Sequence, residues 1–156
     1  MDKKIPDNVY EKILEYSVIS AVDAVIYDDN KVLLAKRLQE PCKGQWWVPG
    51  GRQFKGESGE EAIVRKVKQE VGLDVEVEKL IGVRDISFNV SAFPNVDKVS
   101  YVARIYLTRL RNSKQKVLLD STQEKYIWID KKWFNENKNN LHEYVAKALK
   151  DSGVFG

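Results

Sequence analysis

The sequence predicts an α+β fold, a mixed α/β/α sandwich in which a sheet lies between helices. Apolar residues recur at helical spacing in separated segments, β-branched and aromatic runs of strand length fill the intervals, and Gly, Asn and Asp mark the joints.

Pro6 and Asp7 are helix-start residues, and Val9, Ile13 and Leu14 follow at helical spacing, so a short helix is expected over 7–16. The period then changes. SVISAVDAVIYDDNKVLLAKR holds two β-rich runs, 17–27 and 31–37, broken by Asp28, Asp29 and Asn30 as hairpin residues. A short third strand is expected at Gln45–Val48, before Pro49. Ser58 with Glu61 spells a capping box, opening a helix that runs to Val71 and closes on Gly72. Further strands are expected at 74–88, 98–110 and 125–129, with Asn112 and Ser113 turning the basic stretch RLRNSKQKV into a solvated hairpin tip. Asn140 is expected to cap a last helix over LHEYVAKALKD. Trp46, Trp47, Trp128 and Trp133 read as packing residues, with one of the first two free to stack on a base or sugar. The loop SAFPNVD, 91–97, could border a substrate.

At 156 residues the chain fits one domain, 1–156. Lys and Arg number 26 against 23 Asp and Glu with the signs interleaved, so the small positive balance does not argue for nucleic acid. The single Cys42 excludes an internal disulfide and fits a reducing compartment. Neither a signal peptide nor an apolar run near the ~18 residues of a membrane span is present, so a cytoplasmic protein is expected.

The helix after Ser58 poses a chemical question. At 100° per residue, Ile63, Val64, Val67 and Val71 share one buried arc, with Glu70 and Lys66 on its border. A carboxylate there must be paired, hydrogen-bonded or bound to a cation. Lys66, four residues earlier, is one partner, in an orientation contributing roughly 0.3 kcal/mol; a hard cation is the other. Gly50 and Gly51 favour the second, because a tight glycine turn exposes carbonyls, and carbonyl oxygen beside a carboxylate suits Mg²⁺.

Gly51, Glu57, Arg65, Val67, Glu70, Gly72 and Leu73 fall at the spacing G-x5-E-x7-R-E-U-x-E-E-x-G-U, U being bulky and apolar, and on these residues the chain resembles the Nudix box. Lys66 and Gln69 stand where that box has glutamates. Typical Nudix pyrophosphatases hold several divalent ions with such carboxylates, so the resemblance implies fewer ions here. The likeness extends to the GDP-mannose mannosyl hydrolase branch through Asp23, through Lys36 and Arg37, and through PCKGQWWVPGGR from Pro41 to Arg52. That branch holds one Mg²⁺ with a glycine carbonyl, the last box glutamate and a distant glutamine, positions matched by Gly50, Glu70 and Gln123. The resemblance further implies a Nudix-like fold and a homodimer built partly by the N-terminal segment. It also implies that Arg37 and Arg52 neutralise a diphosphate, that Asp23 contacts the sugar, and that Glu57 and Arg65 brace the loop as an ion pair.

The mannosyl hydrolases place a histidine beside the glutamine as general base. Here that neighbour is Glu124, which is taken as the candidate base because a carboxylate can accept a proton from water where its surroundings raise its pKa. The only histidine, His142, is assigned a polar surface role in the last helix. Attack at sugar carbon and attack at phosphorus both stay open. The expected activity is a Mg²⁺-dependent Nudix hydrolase cleaving a GDP-mannose-like nucleotide sugar. The alternatives are a pyrophosphatase for other nucleoside diphosphates such as ADP-ribose, and a non-enzymatic nucleotide-sugar sensor.

Overall fold

In the computed structural model, which describes residues 4–156, a seven-stranded mixed sheet carries helices against both faces, the expected sandwich. Residues 1–3, the start of the stretch in which no signal peptide is read, lie outside the described residues. No described helix is long and apolar enough to cross a membrane.

Helix α1 (Asp7–Tyr16) leads into β1 (Ile19–Asp28), and β2 (Lys31–Arg37) returns antiparallel to it. Asp29 and Asn30 turn the chain with φ of 45° and 64°, the left-handed pair that a two-residue hairpin demands. The two strands pair only at Tyr27–Val32 and Asp28–Lys31, then diverge. The gap between them is filled by one short stretch of chain. Strand β3 (Trp46–Trp47) bonds β2 at Ala35 and Lys36, and β4 (Gly50–Arg52) bonds β1 at Ala21, Val22 and Asp23. Next come α2 (Gly59–Val71), β5 (Val75–Phe88), β6 (Val99–Leu110) and β7 (Gln123–Ile129). β6 runs parallel to β1, β5 pairs antiparallel with β6, and β7 pairs antiparallel with β2. The chain ends in α3 (Lys131–Asn137), a 3-10 turn at Lys138–Asn140, and α4 (Glu143–Ser152).

Strand alternation in β1 divides the core. Val22, Ala24 and Ile26 pack with Ile63, Val67 and Val71 of α2, while Ala21 and Val25 join the cluster holding Val145, Ala148 and Leu149 of α4. Each large apolar side chain so buried stabilises the fold by about 1.5–3 kcal/mol. Asp23 falls in phase with Ala21 and Val25, so the alternation that builds the α4-side core also aims a carboxylate at it.

Four sequence expectations change. The buried arc of α2 contains Ala62, Ile63, Val67, Glu70 and Val71, whereas Val64 is 36% exposed, so the helix is rolled toward Glu70. RLRNSKQKV is not a hairpin tip. After its turn the chain runs irregularly along the end of α2, with Leu118 N–H donating to Val71 O (2.9 Å) and Asp120 N–H to Glu70 O (3.0 Å), and β7 begins at Gln123. Helix α3, absent from the sequence reading, is short, buries only Phe134, and starts where Asp130 accepts from Trp133 N–H (2.8 Å). Asn140 lies in the 3-10 turn, and His142 caps α4 instead, its Nδ1 accepting from Tyr144 N–H (3.0 Å).

Candidate active site

A cleft of about 270 Å³ opens where β1 and β2 diverge, lined by Asp23, Arg37, Gly50, Gly51, Arg52 and Glu70 among others. Helix α2 delivers Glu70. Its start is set by the capping box, Ser58 Oγ accepting from Glu61 N–H (3.1 Å) and Glu61 Oε1 from Ser58 N–H (3.2 Å). Glu57 and Arg65 then tie the preceding loop to the helix, as the sequence implies: Arg65 donates to Glu57 Oε1 at 2.6 Å and Oε2 at 3.0 Å, and to Arg52 O at 3.0 Å, while its guanidinium lies 3.6 Å from the Phe54 ring centre. The Arg65 hydrogen bonds hold the Glu57 carboxyl below its ordinary range. Removing one member of this largely buried pair strands the other charge. Glu57→Gln is expected to cost about 2 kcal/mol, a drop in Tm of about 4–8 °C for a chain of this size, measured by thermal melting.

Glu70 is 4% exposed, and its carboxylate meets three donors. Gly50 N–H donates to Oε1 (2.9 Å), Gln123 Nε2 donates to Oε2 (3.2 Å), and Thr122 Oγ1 lies 3.2 Å from Oε2. Thr122 Oγ1 is also 2.5 Å from Asp120 Oδ1, so its single proton serves one acid or the other. Among the described residues Lys66 makes no salt bridge to Glu70. The Glu70 carboxylate is therefore held by hydrogen bonds and not by Lys66.

Gly50 is confined from both sides. Ala24 N–H donates to Pro49 O (2.8 Å), which makes Asp23 and Gly50 a non-hydrogen-bonded pair and turns the polar backbone of Gly50 away from β1, toward Glu70. A Cβ there would stand 2.0 Å from Asp23 Oδ1 and 2.3 Å from Val22 O.

Gly50, Glu70 and Gln123 are therefore brought together. The donor set suits a single hard cation through the Glu70 carboxylate and Gln123 Oε1, which is buried without a hydrogen-bond partner, the Gly50 carbonyl being the ligand that the resemblance implies. Among the described residues no three His, Cys, Asp or Glu side chains cluster closely enough to hold a metal, so carboxylates alone build no cage.

Arg37, Arg52 and Asp23 join the same cleft. Arg37 is anchored by its Nε donating to Pro41 O (2.7 Å), and Arg52 stacks 4.6 Å from Phe54 and 5.6 Å from Tyr10. Asp23 Oδ2 accepts from the Tyr144 hydroxyl (2.6 Å). Burial, aided by the Glu70 charge and opposed by the Tyr144 hydrogen bond and Arg37, raises its pKa from 3.8 to about 7. Between those values the folded chain keeps a proton that the unfolded chain has lost. The neutral acid's stability contribution is thus complete below the lower value and lost as pH rises toward the upper one. Asp23→Asn removes that loss. Its Tm relative to the parent is expected to be higher at about pH 8 than at about pH 5, and a gap that ignores pH would refute the assignment.

The structure does not bring Glu124 to the site. A bulge opposite Ala35–Arg37 interrupts β7 between Gln123 and Tyr126; both Gln123 and Glu124 lie outside the cleft lining, but Gln123 is buried and bonded to Glu70 whereas Glu124 is exposed. His142 instead serves the helix cap and the edge of Trp47, 5.0 Å between ring centres. Trp47 is buried and stacks on Tyr144 at 5.5 Å, whereas Trp46 is partly exposed between Lys36 and Lys125. Sequence reasoning missed Tyr144 and Thr122. Thr122 sits next to Gln123, a usable signal, whereas nothing local links Tyr144 to an aspartate 121 positions earlier.

Residues 18–150 match the NUDIX domain family. The chain is 32% identical over 146 residues to the low-salt glycan biosynthesis protein Agl8 of Haloferax volcanii, covering 94% of this chain and 89% of that protein. It is 51% identical over 63 residues to the ADP-ribose pyrophosphatase of Methanocaldococcus jannaschii, covering 40% and 37%. Among solved structures, a NUDIX hydrolase from Nitrosomonas europaea superposes with a TM-score of 0.70 at 20% identity, over 86% of this chain and 88% of that one.

Proposed function

We propose, from the premise that this chain belongs to the NUDIX family and is a hydrolase, that it cleaves a GDP-mannose-like nucleoside diphosphate sugar. NUDIX hydrolases use divalent ions. We read the ion here as a single Mg²⁺ held by Gly50, Glu70 and Gln123. The observation that carries this reading is the buried, unpartnered Gln123 Oε1 beside a carboxylate and a glycine backbone. When bound there, a divalent ion offsets phosphate charge and acidifies water. The chain's own residues do the rest. Arg37 and Arg52 present rigidly held guanidinium groups that suit the two charges of a diphosphate and favour its departure as charge gathers on it. Asp23, held by Tyr144, offers a sugar hydroxyl either a donor or an acceptor near neutral pH.

A second reading, a pyrophosphatase for a substrate such as ADP-ribose, draws support from the relative of that name, 51% identical over 63 residues. Incubation with GDP-mannose, GDP-glucose, ADP-ribose and ADP-glucose, with and without Mg²⁺ and in heavy-oxygen water, separates the two. Turnover of a GDP sugar is expected, with label in the released sugar meaning attack at carbon and label in phosphate attack at phosphorus; turnover of ADP-ribose in its place would establish the second reading, and no Mg²⁺-dependent product from any of the four would overturn both. We also read residues 1–156 as one domain working as a homodimer in the cytoplasm, for which sedimentation gives the oligomeric test.

A further inference from the structure

We propose that Lys66 is a third substrate-binding cation, its ammonium contacting the diphosphate alongside Arg37 and Arg52. This rests on the nucleoside diphosphate reading above and adds to it a residue that stands where the box has a glutamate.

Lys66 lines the cleft and is half-buried. Its stem lies flat across the glycine turn: a Cβ on Gly51 would stand 2.4 Å from Lys66 Cε, 3.1 Å from Cδ and 3.0 Å from Nζ. The bare backbone at Gly51 therefore makes the room in which the side chain runs toward the cleft. No carboxylate among the described residues forms a salt bridge with Lys66. Glu70 is one helical turn away, but its oxygens already meet Gly50 N–H, Gln123 Nε2 and Thr122 Oγ1. An ammonium sheltered on its apolar stem and left without a protein anion is a site for an anionic ligand.

The two arginines differ from it in kind. Arg37 is tethered to Pro41 O and Arg52 is sandwiched on rings, so each presents a fixed fork. Lysine offers three rotatable donors on a flexible stem, a point charge able to follow a phosphoryl oxygen that the forks do not reach.

The test is calorimetric titration of inorganic pyrophosphate in chelator-containing buffer, which reads the cations without metal or turnover. Lys66→Met keeps an unbranched stem over Gly51 and removes the charge; Lys66→Gln is the second variant should the first fail to fold. Either is expected to weaken pyrophosphate binding about tenfold and to flatten its salt dependence, while melting within a few degrees of the parent. Parent-like affinity in both, with Arg37→Gln and Arg52→Gln each weakened, would overturn the Lys66 assignment and leave the diphosphate reading standing. Failure of the parent to bind pyrophosphate, or binding unaffected by all these substitutions, would overturn both.

Discussion

Glu70→Gln is expected to lower turnover by roughly 10²-fold or more, the scale set by the 10–100-fold that even outer partners of a metal ligand contribute, while the protein stays folded. The amide is isosteric, so the buried position is still filled. Its new NH₂ group faces donors, but Gln123 can turn its amide through a half rotation and offer the unpartnered Oε1 as acceptor. Stability is therefore expected to fall by only about 1 kcal/mol. Divalent-ion affinity, read by calorimetry, should fall together with the rate. A variant that binds Mg²⁺ as the parent does, or that keeps full activity, would remove Glu70 from the metal.

Gly50→Ala is expected to damage fold and activity together. The added methyl meets Val22 O at 2.3 Å, a backbone atom of a central strand, and Asp23 Oδ1 at 2.0 Å. Neither can retreat cheaply, because β1 is paired with β6 along its length and Asp23 is held by Tyr144. Overpacking of this kind costs about 3 kcal/mol, lowering Tm by about 6–12 °C. It also pries β4 from β1, which shifts the Gly50 N–H from Glu70. Parent-like melting of this variant would mean that β4 does not sit against β1 as described.

Much of this was legible from local signals. The two-residue turn at Asp29 and Asn30, the Ser58–Glu61 box and the αL glycine at Gly72 each have a residue-level cause, and each appears in the structure where its residues stand. The pairing of Gly50, Glu70 and Gln123 was reached only through resemblance, since spacing cannot say that residue 123 returns to residue 70. The roll of α2 escaped the periodicity because Val64 and Ala62 differ less in hydrophobicity than in what faces them: the sheet covers one and leaves the other to water. Glu124 stands apart from Glu70 for a related reason. Adjacency to Gln123 suggested a shared site, but neighbouring strand residues do not share surroundings, and a bulge falls in that stretch. Helix α3 has seven residues and one buried side chain, too little pattern to detect.

The divergence of β1 from β2 has a consequence for how damage spreads. Elsewhere the sheet separates two hydrophobic interiors, but in that gap a side chain from each layer arrives at the same place, Glu70 from α2 and Tyr144 from α4. Volume removed beneath either helix, at Val67 on one side or Val145 on the other, is thus conveyed to one small group of oxygens, so that substitutions with no atom in common should disturb the same chemistry.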